Sequence, residues 1–159
     1  MEGKFSCDWE TKQEFVSLIK VLFKDFNLTI DIPYDPYSPV DVYFTAYTDT
    51  RTVTYACELK ERWDYDSTSY GADGQQGWVI EDWKKEVLEE KKAEGYNPIY
   101  VNLYKDGIIR IWNLNDVKDF GTTGVKNWRR HTVDDEGGTY RKSKLTLFNR
   151  DAKEYERWS

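Results

Sequence analysis

Apolar residues near the start of the chain recur at a helical interval. Phe15, Leu18, Ile19, Leu22, Phe23 and Phe26 share one face of a 3.6-residue repeat, which predicts an amphipathic helix over Asp8–Phe26. Ser6 or Asp8 offers the oxygen that caps such a start. The pattern then changes. Leu28–Ile32 reads as a short strand, and Pro33, Pro36 and Pro39 punctuate the loop after it. Val40–Tyr47 and Thr52–Lys60 follow as strands around Thr48-Asp49-Thr50-Arg51, a hairpin by spacing. Trp63–Gly77 is polar and glycine-rich, hence a loop. Val79, Ile80, Trp83, Val87 and Leu88 return to one helical face and predict a second helix over Val79–Glu94, stopped by Gly95.

Pro98–Tyr104 and Gly107–Asn113 make the clearest hairpin, because Asp106-Gly107 supplies the positive φ that a tight turn needs. Trp128–Val133 and Thr139–Phe148 alternate around a Gly-containing acidic turn and read as a further hairpin, with a short helical end after Asn149. Helix, three strands, helix, strands: this order predicts an α/β (α+β) fold with a mixed central sheet flanked by helices and an extra C-terminal β-hairpin. No repeat or linker divides the 159 residues, so a single domain is expected, its core over about 8–114 and a basic extension over about 118–159.

Composition adds three bounds. Aromatic residues make up 16% of the chain, enough to furnish a core despite its 33% charged content. No apolar run approaches the roughly 18 residues of a membrane span, and the first residues lack the apolar stretch of a signal peptide. Cys7 and Cys57 show no metal-type spacing, so reduced thiols and a cytoplasmic setting are expected. The net charge of −6 argues against a nucleic-acid partner, but it is unevenly spread. From Lys118 to Arg150, eight basic residues face four acidic ones.

The candidate chemistry lies between Pro39 and Lys60. Charged side chains inside strand-like segments cost several kcal/mol unless they are paired or bind an ion. Glu58 and Lys60 share one strand face by alternation, with Cys57 and Leu59 on the other. On their side Thr52, Thr54 and Ala56 are small and leave room for a ligand. A hairpin centred between Asp49 and Thr50 sets Asp41 opposite Glu58. Two neighbouring carboxylates repel unless a cation compensates them. Mg²⁺ (or Mn²⁺) suits that role through oxygen ligands, lowers the pKa of bound water and stabilises charge on a phosphoryl oxygen. Lys60 then serves the nucleophile or the developing negative charge.

Pro39-Val40-Asp41 followed by Glu58-Leu59-Lys60 resembles the signature of the PD-(D/E)xK nuclease superfamily. The resemblance includes the flanking helices and the hairpin beyond, roughly Asp8 to Leu114. The proline stands two residues before Asp41 rather than beside it, and the exonuclease branch's Gln-x-x-x-Tyr does not follow Lys60. The resemblance implies a restriction-endonuclease-like core and a metal held by Asp41, Glu58 and the Leu59 carbonyl. It implies a catalytic Lys60, and, as in members similar to Holliday-junction resolvases, an accessory glutamate from the first helix. Glu14 is the match and Glu10 the fallback. It also implies DNA as partner, phosphodiester hydrolysis as reaction, and a symmetric homodimer where two strands are cut.

Other readings compete. Glu58 and Lys60, continued by Glu61 and Arg62, also suit a solvated strand edge. Glu14 also suits an ordinary helix surface, and His131, the only histidine, a hydrogen-bonded surface position. Lys84 and its neighbours read as a solvated helix face balanced by glutamates, although Lys84 can reach the metal site. Arg129, Arg130, Arg141, Lys142 and Lys144, interleaved with Trp128 and Tyr140, are the candidates for DNA phosphate contacts. The alternative function is a non-catalytic interaction or recognition protein on the same scaffold.

Overall fold

A computed structural model describes residues 8–35, 37–68, 77–129 and 139–157. Helix α1 spans Trp9–Leu22, and the Asp8 carboxylate caps it by accepting the Thr11 N–H at 2.9 Å. Its buried face carries Thr11, Lys12, Phe15, Val16 and Ile19. The expected extension to Phe26 does not form. Phe23 leaves helical geometry because its ring packs on Phe44 and Tyr55, with centroids 5.5 and 5.7 Å away. Tertiary packing here outweighs the helical period.

Strands β1 (Asn27–Asp31), β2 (Val42–Tyr47) and β3 (Thr52–Arg62) run antiparallel in sequence order. Strand β4 (Gly77–Glu81) and helix α2 (Asp82–Ala93) then carry the chain over one face of the sheet. Strand β5 (Asn97–Tyr104) returns parallel to β3, and β6 (Ile108–Asn113) follows antiparallel after Gly107, whose φ of 91° makes the turn. Strands β7 (Gly121–Arg129) and β8 (Thr139–Phe148) pair with each other, and a 3₁₀ turn at Asn149–Asp151 leads into β9 (Lys153–Glu156). The result is a six-stranded mixed sheet, ordered β1-β2-β3-β5-β6-β9, and a three-stranded sheet ordered β4-β8-β7.

Alternation along β5 sorts the two layers. Ile99, Val101 and Leu103 join Phe15, Ile19, Cys57 and Leu59 in the core under α1. Tyr100 and Tyr104 join Trp112, Trp78, Ile80, Leu88 and Leu147 in a second core, between the large sheet and the layer of α2 and the small sheet. Each large apolar side chain buried in this way contributes about 1.5–3 kcal/mol. Cys57 is a free thiol with no exposure, and its burial holds its pKa well above the usual thiol range.

The mixed sheet, its flanking helices and the C-terminal antiparallel pair agree with the sequence reading. Three details differ. The second helix begins at Asp82 rather than Val79, because Gly77–Glu81 pairs with β8 as a strand. Trp78, Val79 and Ile80 are weak helix formers and good strand formers once a partner strand is present. Gly77 permits the close pairing: a Cβ there would lie 2.3 Å from the Leu147 carbonyl oxygen. The β8 partner starts earlier than expected, at Gly121. Last, β9 was not foreseen; it pairs with β6 and brings the C-terminal segment back to the edge of the central sheet.

Candidate active site

The β2–β3 ladder pairs Val42 with Cys57, and the Asp41 N–H donates to the Cys57 carbonyl at 3.0 Å. This register sets Asp41 beside Glu58, as turn counting predicts. Both residues are 1% exposed. The Leu59 N–H donates to Asp41 Oδ2 at 2.8 Å, which fixes the carboxylate against the end of β3. Asp41 Oδ1 is buried and has no hydrogen-bond partner among the described residues. A buried orphan acceptor costs about 1–3 kcal/mol, more when charged, so a proton, a water or a cation at this atom would be stabilising.

Glu58 faces the layer formed by α2. There the Lys84 ammonium, 2% exposed, lies 2.8 Å from Glu58 Oε2. The two form a buried ion pair at this distance. The expected open space beside Glu58 is thus closed by Lys84. Sequence periodicity alone ranked this lysine with its solvated neighbours.

The electrostatics express the burial. Desolvation raises the Asp41 pKa, opposed by the Leu59 N–H and by Lys12, Lys84 and Lys60. Desolvation, then the Asp41 charge, pushes Glu58 up to about 8 against the pull of Lys84 and Lys60. Lys60, on the same face two residues on, has its pKa lowered chiefly by desolvation, with Glu58 opposing and Lys84 and Arg62 assisting. At both carboxyls burial outweighs the nearby lysines, so each holds its proton more tightly than an exposed acid.

The donor set fits a small hard cation. Asp41 Oδ1, the Glu58 carboxylate and the Leu59 carbonyl are all oxygen donors, the type that Mg²⁺ and Mn²⁺ take. No group of three or more His, Cys, Asp or Glu gathers among the described residues. A cation here would complete its shell with water, as Mg²⁺ commonly does.

Glu14 lies in a different cluster. Arg157 donates from Nε to its Oε2 at 2.9 Å and from Nη2 to its Oε1 at 3.0 Å. Arg157 Nη1 also reaches Glu61 Oε2 at 2.8 Å, and Thr11 donates to Glu61 Oε1 at 2.9 Å. Both oxygens of Glu14 are therefore engaged in holding α1 to the C-terminal segment. Glu10 is exposed on the first turn of α1. From that helix it is Lys12, 6% exposed, whose charge acts on Asp41.

Strand pairing places the basic candidates by backbone alone. Arg129 stands opposite Thr139, Arg141 opposite Asn127, and Lys142 opposite Lys126 in the small sheet. Lys144 stands opposite Glu81, at the end of β4 nearest α2. Arg130 and His131 lie outside the described residues.

Two hollows flank Lys84, which lines both. One, of about 380 Å³, lies between Tyr37, Ser38 and Pro39 on one side and Trp83 and Lys84 on the other. The second, about 60 Å³, is lined by Lys60, Arg62, Val79, Glu81, Lys84 and Tyr100. Sequence reasoning missed Arg62 and Tyr100. Arg62 was legible as the next residue of the Glu58/Lys60 face; Tyr100 enters through the parallel β3–β5 register, which no local pattern encodes. Among the described residues no helix is long and apolar enough to cross a membrane. Comparison with protein-family models, curated proteins and solved structures finds no match to this chain.

Proposed function

We propose that this chain is a metal-dependent nuclease that hydrolyses phosphodiester bonds in DNA, acting in the cytoplasm as an endonuclease of the PD-(D/E)xK type. One observation carries the reading: Asp41 and Glu58 are buried side by side at strand ends, and Asp41 Oδ1 has no hydrogen-bond partner among the described residues. Asp41, Glu58 and the Leu59 carbonyl would hold Mg²⁺ or Mn²⁺. Such an ion supplies a water of lowered pKa and stabilises charge on a phosphoryl oxygen. The Leu59 N–H keeps the Asp41 carboxylate oriented through Oδ2 and leaves Oδ1 for the ligand. Burial lowers the Lys60 pKa, so this lysine gives up its proton more readily than an exposed one and is better suited to proton transfer.

The surroundings support the same reading. The mixed sheet with helix α1 before it and α2 leading into parallel β5 supports the reading at the level of fold class. Arg129, Arg130, Arg141, Lys142 and Lys144 would take backbone phosphates, and a homodimer would cut two strands symmetrically.

A second reading is a recognition protein on this scaffold, in which the metal is replaced. The Lys84–Glu58 pair favours it, since a fixed ammonium already offsets one carboxylate. Titration calorimetry with Mg²⁺ and Mn²⁺ separates the two. The nuclease reading expects saturable binding by the wild-type chain, lost in Asp41→Asn and Glu58→Gln. Absence of binding, or binding indifferent to both substitutions, favours the recognition protein.

A further inference from the structure

Strand β3 continues past Lys60 with the same face parity, and the next side chain on that face is Arg62. This arginine is unusually fixed for a residue near the end of a strand. Its Nε donates to Asn102 Oδ1 at 3.2 Å, and Asn102 has no exposure. Its Nη2 donates to the Val79 carbonyl and to the Tyr100 hydroxyl oxygen, each at 3.4 Å. The guanidinium carbon lies 5.4 Å from the centroid of the Trp78 ring. These contacts leave Nη1 without a hydrogen bond among the described residues.

Arg62 lines the 60 Å³ hollow together with Lys60, Lys84 and Tyr100. Lys60 makes no hydrogen bond or ion pair among the described residues. The Tyr100 hydroxyl is 1% exposed and accepts from Arg62, so its proton remains to be donated. Burial holds that phenol far above the pKa range in which it would lose the proton. Arg62, Lys60 and Tyr100 thus line one hollow, and Arg62 Nη1, the Lys60 ammonium and the Tyr100 O–H have no acceptor among the described residues. Three cations line or face it against the carboxylates of Glu58 and Glu81.

We infer that this hollow is a phosphoryl-binding subsite, with Arg62 as its positioning residue. A guanidinium held in plane on one side offers its other edge to a tetrahedral oxyanion, which suits phosphate through directional, charge-assisted bonds. Lys60 supplies a point charge and Tyr100 a neutral donor. The position one step beyond Glu58 and Lys60 lets one phosphodiester group touch the acidic pair and the subsite together. The inference rests on the nuclease reading only for the natural occupant, a DNA phosphate; binding of phosphate itself requires no cleavage.

The test uses inorganic phosphate as probe in buffer free of divalent cations, by titration calorimetry on the full chain. Wild type binds saturably, Arg62→Gln and Lys60→Gln each bind about tenfold or more weakly, and Arg62→Lys falls between. Lys20→Gln, an exposed substitution on α1, binds like wild type. A purely structural Arg62 would lower the melting temperature of Arg62→Gln but leave the phosphate affinity of Lys60→Gln untouched. Should Arg62→Gln fail to fold, Lys60→Gln decides, because Lys60 has no protein bond to lose. No saturable binding by wild type, or equal binding by Lys60→Gln, overturns the subsite. Phosphate binding without DNA cleavage would instead sink only the hydrolysis reading, and cleavage without phosphate binding only the subsite.

Discussion

Glu58 is the residue whose environment departs most from its chemistry. It is buried beside a second acid, and its pKa rises from 4.5 to about 8. The sign of the resulting linkage is definite. Between those values the folded chain holds a proton that the unfolded chain has released, so stability without metal falls as pH rises from about 4.5 to 8. Each such proton contributes a slope approaching about 1.4 kcal/mol per pH unit. Asp41, raised by the same burial, adds in the same direction. Denaturant unfolding across this window checks it: Glu58→Gln should flatten the decline and be the more stable chain at pH 8. Saturating Mg²⁺ should also flatten it, because the ion replaces the proton. A stability that rises with pH in metal-free wild type would contradict the buried, undercompensated carboxyl.

Strand β3 shows how far elements were legible. Period two alone put Glu58 and Lys60 on one face, and counting from the Thr48–Arg51 turn set Asp41 beside Glu58, because an antiparallel hairpin has a local register. Arg62 follows on the same face by the same alternation, whereas the places of Lys84 and Tyr100 depend on α2 crossing above the sheet and on the parallel β3–β5 pairing. Such contacts join residues distant in sequence. For the same reason Val79–Glu81 read as the start of a helix: the partner strand, β8, lies more than sixty residues away in the chain. Glu14 gives the element-scale prediction. Its carboxylate ties α1 to Arg157, so Glu14→Gln should lower stability by about 1–3 kcal/mol while leaving Mg²⁺ affinity unchanged. Thermal unfolding and metal calorimetry on the same variant check this. Lost metal affinity at unchanged stability would make Glu14 an accessory ligand instead.

For the whole molecule, the proposed DNA substrate is compatible with an acidic chain because of where the charge lies. The net −6 is a global figure, whereas β7 and β8 carry a basic surplus and pair with β4, which leads directly into α2 and Lys84. The small sheet thus sets Lys144 opposite Glu81, a lining residue of the inferred subsite. The C-terminal part is not an appendage, because β9 returns to the central sheet. The most direct measurement is cleavage of branched, single-stranded and duplex DNA with Mg²⁺ or Mn²⁺, comparing wild type with Asp41→Asn and Lys60→Met. The account predicts divalent-dependent cutting of at least one substrate by wild type, reduced at least about a hundredfold in both folded variants. Undiminished cutting by either variant, or no cutting by a wild-type chain that binds the metal, would contradict it.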